Sequence, residues 1–547
     1  MRILAKLPRV GLLALAPVLA LLLTACAQST PQPAAPSGEA PGAPKRGGTF
    51  VAVGDPTTLG ADFHRATSIN HIVNFPNVHG SLLELSPEDR TTIRGDLAES
   101  WELGKDGKTY TFKIRKGLVT HKGKPFGAED IVYNIERMLK RPNGLPMPRT
   151  GCIRADVESV TSPDPQTVVV QLKGPSASFP ACLTNPYVSM QPKYLIESVD
   201  RENRKMQYEE LDGVGPFKLK EWVDGSLAKW ERYDGFFKEG RPYLDEFWGI
   251  SLPDAAAQIA AFRTQRIHMF SPFATTPAPS EAKSLKTEFG DRITVNQAPA
   301  PGFRGFQINW KRPPLDDIRV REAIDLAADR KNQLEFAYEG AGFVSGPYYG
   351  WDWVYSFEEM SKWPGYRADK TQDLERARQL LKDAGYGNGL IIEVLTGTTS
   401  PDDTDILAED LKKVGITVKL NRQEAKVKAD LDAKAEFMLT YQGNGAEYDD
   451  PDSLTTLSFL PTSGENYGRW EDPEFLRLYA QQRAELDQTK RGQILRKMAD
   501  IIRDSHAYVF MNRPLLHQTW WSYVKGYVAP KSFYQTSYRW DHIWLDK

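Results

Sequence analysis

Between Gly443 and Ser453 the chain reads GNGAEYDDPDS, which puts the carboxylates of Glu447, Asp449, Asp450 and Asp452 within six positions. Carboxylates this dense can hold a hard cation, share a proton, anchor an ammonium group or cap a turn. The calcium-loop pattern is absent, because Pro451 interrupts the run and no Gly stands at the sixth loop position. A second run, GPYYGWDWVY at 346–355, places Tyr349, Trp351, Asp352 and Trp353 together, with ring faces suited to peptide side chains or sugars. His64, His71 and His79 are spaced by seven and eight, which matches no zinc motif. There is no GxSxG, no SxxK with companion motifs and no HExxH, so neither a catalytic residue, a metal site nor a cofactor is expected. GKT at 107–109 lacks a phosphate loop's first glycine, since position 102 is Glu.

The elements that position these residues belong to a long soluble chain. At 547 residues two or three subdomains are expected. Charged residues make up 26%, hydrophobic residues 41%, and the formal net charge is −2, so nothing points to nucleic acid. Arg2, Lys6 and Arg9 precede an uncharged apolar run, Val10 to Leu23, that is too short for a membrane span of about 20 residues. The run ends in LTAC, similar to the lipobox of bacterial lipoproteins, in which the Cys, here Cys26, is lipidated and becomes the mature N-terminus. Residues 1–25 then read as a signal peptide. AQSTPQPAAPSGEAPGAP has no core-forming residues, so 26–44 reads as a disordered tether reaching roughly 55 Å at 3.1 Å per residue. The expected location is outside the cell membrane, anchored by lipid, as a monomer. In that oxidising setting Cys152 and Cys182 fit a disulfide, with two buried thiols as the alternative.

From Lys45 onward, strands and helices alternate. TFVAV at 49–53 is a first strand, and TYTFKI alternates Tyr110, Phe112 and Ile114 after a KDGK turn. AEDIVYNIERMLKR repeats Ile131, Ile135 and Met138 at helical spacing, with Glu129 and Asp130 in the first turn. VESV with TVVVQL, and GPFKLKEW with LAKWERY, read as strand pairs. DDIRVREAIDLAADRKNQ reads as one helix, LERARQLLKDAGYG as a helix closing at Gly385, and DILAEDLKKVGITVKL as helix, Gly415, strand. The class is α/β or α+β.

Taken in order, these segments resemble extracellular solute-binding proteins of the peptide/nickel/opine class, which serve ATP-driven importers. The motifs are DLAESWELGKDGKTYTFKIRKGLVTHKGKPFGAEDIVYNIERM, DGVGPFKLKEW with ERYDGFFKEGRPYLDEF, INWKRPPLDDIRVREAIDLAADR, LERARQLLKDAGY, KKVGITVKL, and YDDPDS with NYGRWEDPEF. The resemblance implies a two-lobed fold of the periplasmic-binding-protein type. Lobe I would take 45–86, 206–300 and 509–547, an inserted subdomain 87–205, and lobe II 301–508, with lobe crossovers as the hinge.

It also implies site residues. In peptide-binding members an acid just before the Asp-Pro pairs with the ligand's α-amine, and Glu447 holds that place. The usual upstream Trp is missing, with Tyr441, Gln442 and Asn444 there instead, and an early Tyr is replaced by His79. Tyr349, Trp351, Asp352 and Trp353 fall in the lobe II stretch that faces the cleft in relatives. The implied partners are a small solute (peptide, or alternatively sugar or metal chelate) and the transmembrane subunits of an ABC permease. An exported enzyme or sensor subunit is the competing class.

Overall fold

The computed structural model describes residues 42–547 except 55–59, 67–70, 253, 272–275, 301, 399–401 and 530–538, and omits the side chains of His71, Val73 and Asn444. Cys26 and most of the 26–44 segment therefore lie outside the described residues. Pro44–Lys547 is one compact unit, and it contains three principal sheets.

The first sheet runs Thr49–Val53, Glu246–Ile250, Leu227–Arg232, Phe217–Val223, with the outer pair Thr49–Val53 and Glu246–Ile250 parallel. Phe50, Trp230 and Phe247 from its strands are fully buried in one core. The second is antiparallel, in the order Ala98–Leu103, Thr109–Ile114, Thr167–Leu172, Val157–Asp164. Its alternating Tyr110, Phe112 and Ile114 meet Ile131, Ile135 and Met138 of the helix Ala128–Lys140. Each such buried side chain contributes about 1.5–3 kcal/mol, so the inserted unit has a core of its own. Asp106 organises its first turn by accepting from the N–H groups of Lys108 and Thr109 at 3.1 and 3.0 Å. The third sheet is ordered Ile293–Pro299, Tyr508–Trp521, Phe303–Ile308, Leu439–Asn444, Leu390–Gly397, Ile416–Gln423, with Gly342–Val344 added against Tyr508–Trp521.

The segment expected as one helix from Asp316 is two, Ile318–Ala327 and Arg330–Tyr338. Ala328 adopts an extended conformation, and Asp329 caps the second helix by accepting from Asn332 N–H at 3.0 Å. An aspartate that competes for backbone donors ends one helix and starts the next.

One strand joins the lobes. Val509 and Met511 belong to a lobe II core, and Trp520 and Trp521 to the core of the first sheet. At about 3.4 Å per residue, Tyr508–Trp521 spans on the order of 45 Å. Ile293–Pro299 pairs with its distal half, from Ile293 opposite Trp521 to Pro299 opposite Leu515. The connection is thus a hydrogen-bonded ribbon.

Candidate ligand site

The four carboxylates of GNGAEYDDPDS have four different partners. The strand Leu439–Asn444 delivers the segment beside Arg304, where a Cβ on Gly443 would come within 2.9 Å of the guanidinium. Asp450 caps the short helix Pro451–Leu454 by accepting from Asp452 N–H at 2.8 Å, and takes both Nη groups of Arg491 at 2.5 and 2.6 Å. Asp449 accepts from the indole N–H of Trp351 at 3.1 Å. Asp452 accepts from the Ser178 hydroxyl at 2.9 Å and from Gln482 at 2.8 Å. Burial, with Asp450 nearby, pushes Asp452 up to about 6. Among the described residues no group of His, Cys, Asp and Glu could hold a metal ion.

Glu447 is the carboxylate that meets a cation from the inserted subdomain. It is 6% exposed, its N–H donates to Ser453 Oγ at 2.7 Å, and Arg149 Nη1 reaches its Oε1 at 3.3 Å. Burial pushes its carboxyl up to about 8, against the opposing pull of Arg149. Arg149 lies over the Tyr187 ring at 5.2 Å and keeps 18% of its side chain accessible although protein surrounds it, as a residue lining an enclosed space does. Glu465 shares this field. Burial raises it, Arg149 lowers it, and Glu447 and Tyr187 both sense its charge.

A chain of aromatic contacts leads from this group to His79. Tyr187 packs on Phe63 at 5.3 Å, and Phe63 stacks on His79 at 6.5 Å. His79 is buried, and neither ring nitrogen has a hydrogen-bond partner among the described residues. Burial drives it down to about 3, so the ring is neutral at physiological pH. Gly213 must remain a glycine, because a Cβ there would meet Val78 O at 2.0 Å and His79 Nδ1 at 2.9 Å.

The chain was compared with known proteins. Residues 92–466 match the model of bacterial extracellular solute-binding proteins, family 5 Middle, which is more than half of the chain. This chain belongs to family 5. It is therefore a solute-binding protein of an extracellular class and not an enzyme. It is 26% identical to the dipeptide-binding protein of Escherichia coli (strain K12) over 476 residues, covering 80% of this chain and 84% of that one. It is 24% identical to heme-binding protein A of Haemophilus influenzae over 494 residues, covering 84% and 86%. The Helicobacter pylori periplasmic binding protein DppA, solved with the peptide STSA, superposes with a TM-score of 0.78 at 24% identity, covering 92% of this chain and 99% of that one. The fold is thus the two-lobed periplasmic-binding-protein type. Among the described residues, no helix is long and apolar enough to cross a membrane.

In this family 5 protein the other expected site residues scatter. Tyr441 lies in the lobe II core against Phe306, with its hydroxyl on Asp403 beside that of Tyr338. Gln442, on the opposite strand face, donates to Asp432 at 2.9 Å. The Asn444 side chain lies outside the described residues. Trp351 is buried in a core with Tyr348 and Val354, Tyr349 and Trp353 pack half-buried against that core, and Asp352 is exposed. Arg491 lies over the Trp353 ring at 5.8 Å. The histidines do not converge as three hydrogen-bonded rings. His64 donates from Nε2 to Ser189 O at 2.9 Å and accepts from Arg137 at Nδ1, His79 has no such partner, and the His71 side chain is outside the described residues.

Sequence reasoning missed Arg149, Glu465 and Tyr187. Arg149 precedes Cys152 by three positions, and no spacing marks it as lying against Glu447, 298 residues away. Glu465 stands one residue before NYGRWEDPEF and belongs to no local pattern. Cys152 and Cys182 are joined, with S–S 2.03 Å and Cα–Cα 6.1 Å.

Proposed function

We propose that this protein is the lipid-anchored substrate-binding component of an ATP-driven importer. It captures a peptide-like solute with a cationic end between its lobes and presents it to the transmembrane subunits of a permease. The observation that carries the reading is the desolvated acidic wall of Glu447 and Glu465 beside Arg149, where lobe II meets the inserted subdomain. A buried ammonium needs such carboxylates, because left unpaired it costs several kcal/mol, as an order of magnitude. The neutral His79 adds a donor and an acceptor that the protein itself does not use. The printed functions of the E. coli and H. pylori relatives support a peptide. LTAC at Cys26 and the Pro-rich segment after it support anchoring outside the membrane.

Sugar and metal-chelate ligands receive less support. The Trp351 ring is buried in its own core, and no metal-holding group occurs among the described residues. Native mass spectrometry of the purified protein, followed by calorimetry with short peptides, tests the proposal. Stoichiometric binding without turnover is the expected result, and release of a chemically altered product would refute it. Radiolabelled palmitate incorporation that disappears in Cys26→Ala tests the anchor.

A further inference from the structure

Two carboxylates and one guanidinium meet at the site. Arg149 is committed to Glu447 at 3.3 Å. Among the described residues the Glu465 carboxylate has no hydrogen-bond or ion-pair partner, although its backbone is fixed at both ends. Its N–H donates to Ser463 Oγ at 3.0 Å, and its carbonyl accepts from Gln307 Nε2 at 2.8 Å. Glu465 is thus held in place while its charge is left unmatched. The next cation, Arg154, directs Nη1 to Met147 O at 3.2 Å and to Thr150 Oγ1 at 2.8 Å, and it acts on Glu447 rather than Glu465.

Resting on the reading of the site as a cleft for a cationic-ended solute, we infer that Glu465 holds the ligand's cationic group, while Arg149 occupies Glu447. Glu447 holds the acidic position before the Asp-Pro, and here it carries an interlobe ion pair supplied by the protein. Glu465 projects from the loop after Phe459, next to Tyr467, a half-buried ring that senses the charges of both Glu465 and Arg149. A desolvated carboxylate without a partner is destabilising. Such a group at a cleft is what a binding protein keeps when the missing counter-charge arrives with the ligand. The trio carries one unit of excess negative charge. It therefore matches one ligand ammonium or guanidinium and rejects the same molecule when that group is acylated.

The test uses the full chain, a pool of di- to pentapeptides with free amino termini, and the same pool N-acetylated. The peptide that wild type retains from the pools is then titrated against Glu465→Gln and Glu447→Gln. Glu465→Gln should lose about thirtyfold or more in affinity for the free-amine peptide and lose discrimination against its acetylated form. Glu447→Gln should lose less, because Arg149 remains to fill the space. Wild-type affinity in Glu465→Gln, or a loss confined to Glu447→Gln, overturns the inference while leaving the proposed function intact. Binding of neither pool by wild type refutes the proposed function, and this inference falls with it. Ligand-free Glu465→Gln should melt no lower than wild type, since no internal partner is lost. A lower melting temperature, reproduced in Glu465→Asp, would mark Glu465 as structural and overturn its role here.

Discussion

Ser178 of the inserted subdomain donates to Asp452 of lobe II at 2.9 Å. Close by, Asp156 pairs with Arg483, and Ala177 N–H donates to Arg483 O at 2.9 Å. Tyr448 buries its ring in the inserted subdomain's core. The lobes are therefore joined by a specific patch. Ser178→Ala should weaken closure by about 1–3 kcal/mol, the range for a hydrogen bond to a charged group. Calorimetry should show a matching loss of ligand affinity with unchanged circular dichroism. Undiminished affinity would mean that this contact does not contribute to the bound state.

Every contact of that patch lies close to the disulfide. Arg149, Asp156, Ser176 and Ser178 flank Cys152 and Cys182, which are 30 residues apart in sequence. Constraining a loop of this length stabilises by about 2–4 kcal/mol. Cys152→Ser with Cys182→Ser should lower the denaturation midpoint by that amount and weaken ligand binding in parallel. A purely global effect would change the midpoint and leave the affinity as it was.

Glu447 and His79 give stability opposite pH dependences. Glu447 titrates near 8 in the fold and at 4.5 ordinarily, so between those values the folded state holds a proton that the unfolded chain lacks. Its contribution is complete below 4.5 and is lost as pH rises through 8. His79 titrates near 3 in the fold and 6.5 ordinarily, so the unfolded chain binds the extra proton, and stability is lost as pH falls from 6.5 towards 3. His64, lowered to about 4, adds to the acid side. Melting temperatures from pH 4 to 9 should flatten on the alkaline side in Glu447→Gln and on the acid side in His79→Phe.

Arg137 is buried between two acids, with Nη2 on Asp62 and Nε on Asp200, both at 2.6 Å. It ties the helix Ala128–Lys140 to the first lobe. Arg137→Met leaves two buried carboxylates uncompensated and should cost about 3–5 kcal/mol by urea denaturation. Adding Asp62→Asn and Asp200→Asn should restore part of that loss.

The fold was legible wherever local chemistry decided it. The alternation of Tyr110, Phe112 and Ile114 and the helical spacing of Ile131, Ile135 and Met138 encode which face is buried, and the structure buries those faces. The break at Ala328–Asp329 was not legible, because its apolar periodicity continues across the cap. Glu447 stood out through its position before the Asp-Pro. Arg149 and Glu465 did not, since their roles arise from contacts made only after two lobes meet. The aromatic run at 346–355 shows the limit of composition as a guide. Its rings supply large contact area, and the fold spends Trp351 on its own core.

The strand Tyr508–Trp521 follows every other member of its sheet in sequence, yet it is an interior strand between Ile293–Pro299 and Phe303–Ile308. Its distal tryptophans also fill the core of the first lobe. During synthesis neither lobe can be completed until this stretch has been made, although nascent domains generally fold in order from the N-terminus. The two lobes must mature together, as one late event, and the chain stays short of its final form through most of its translation.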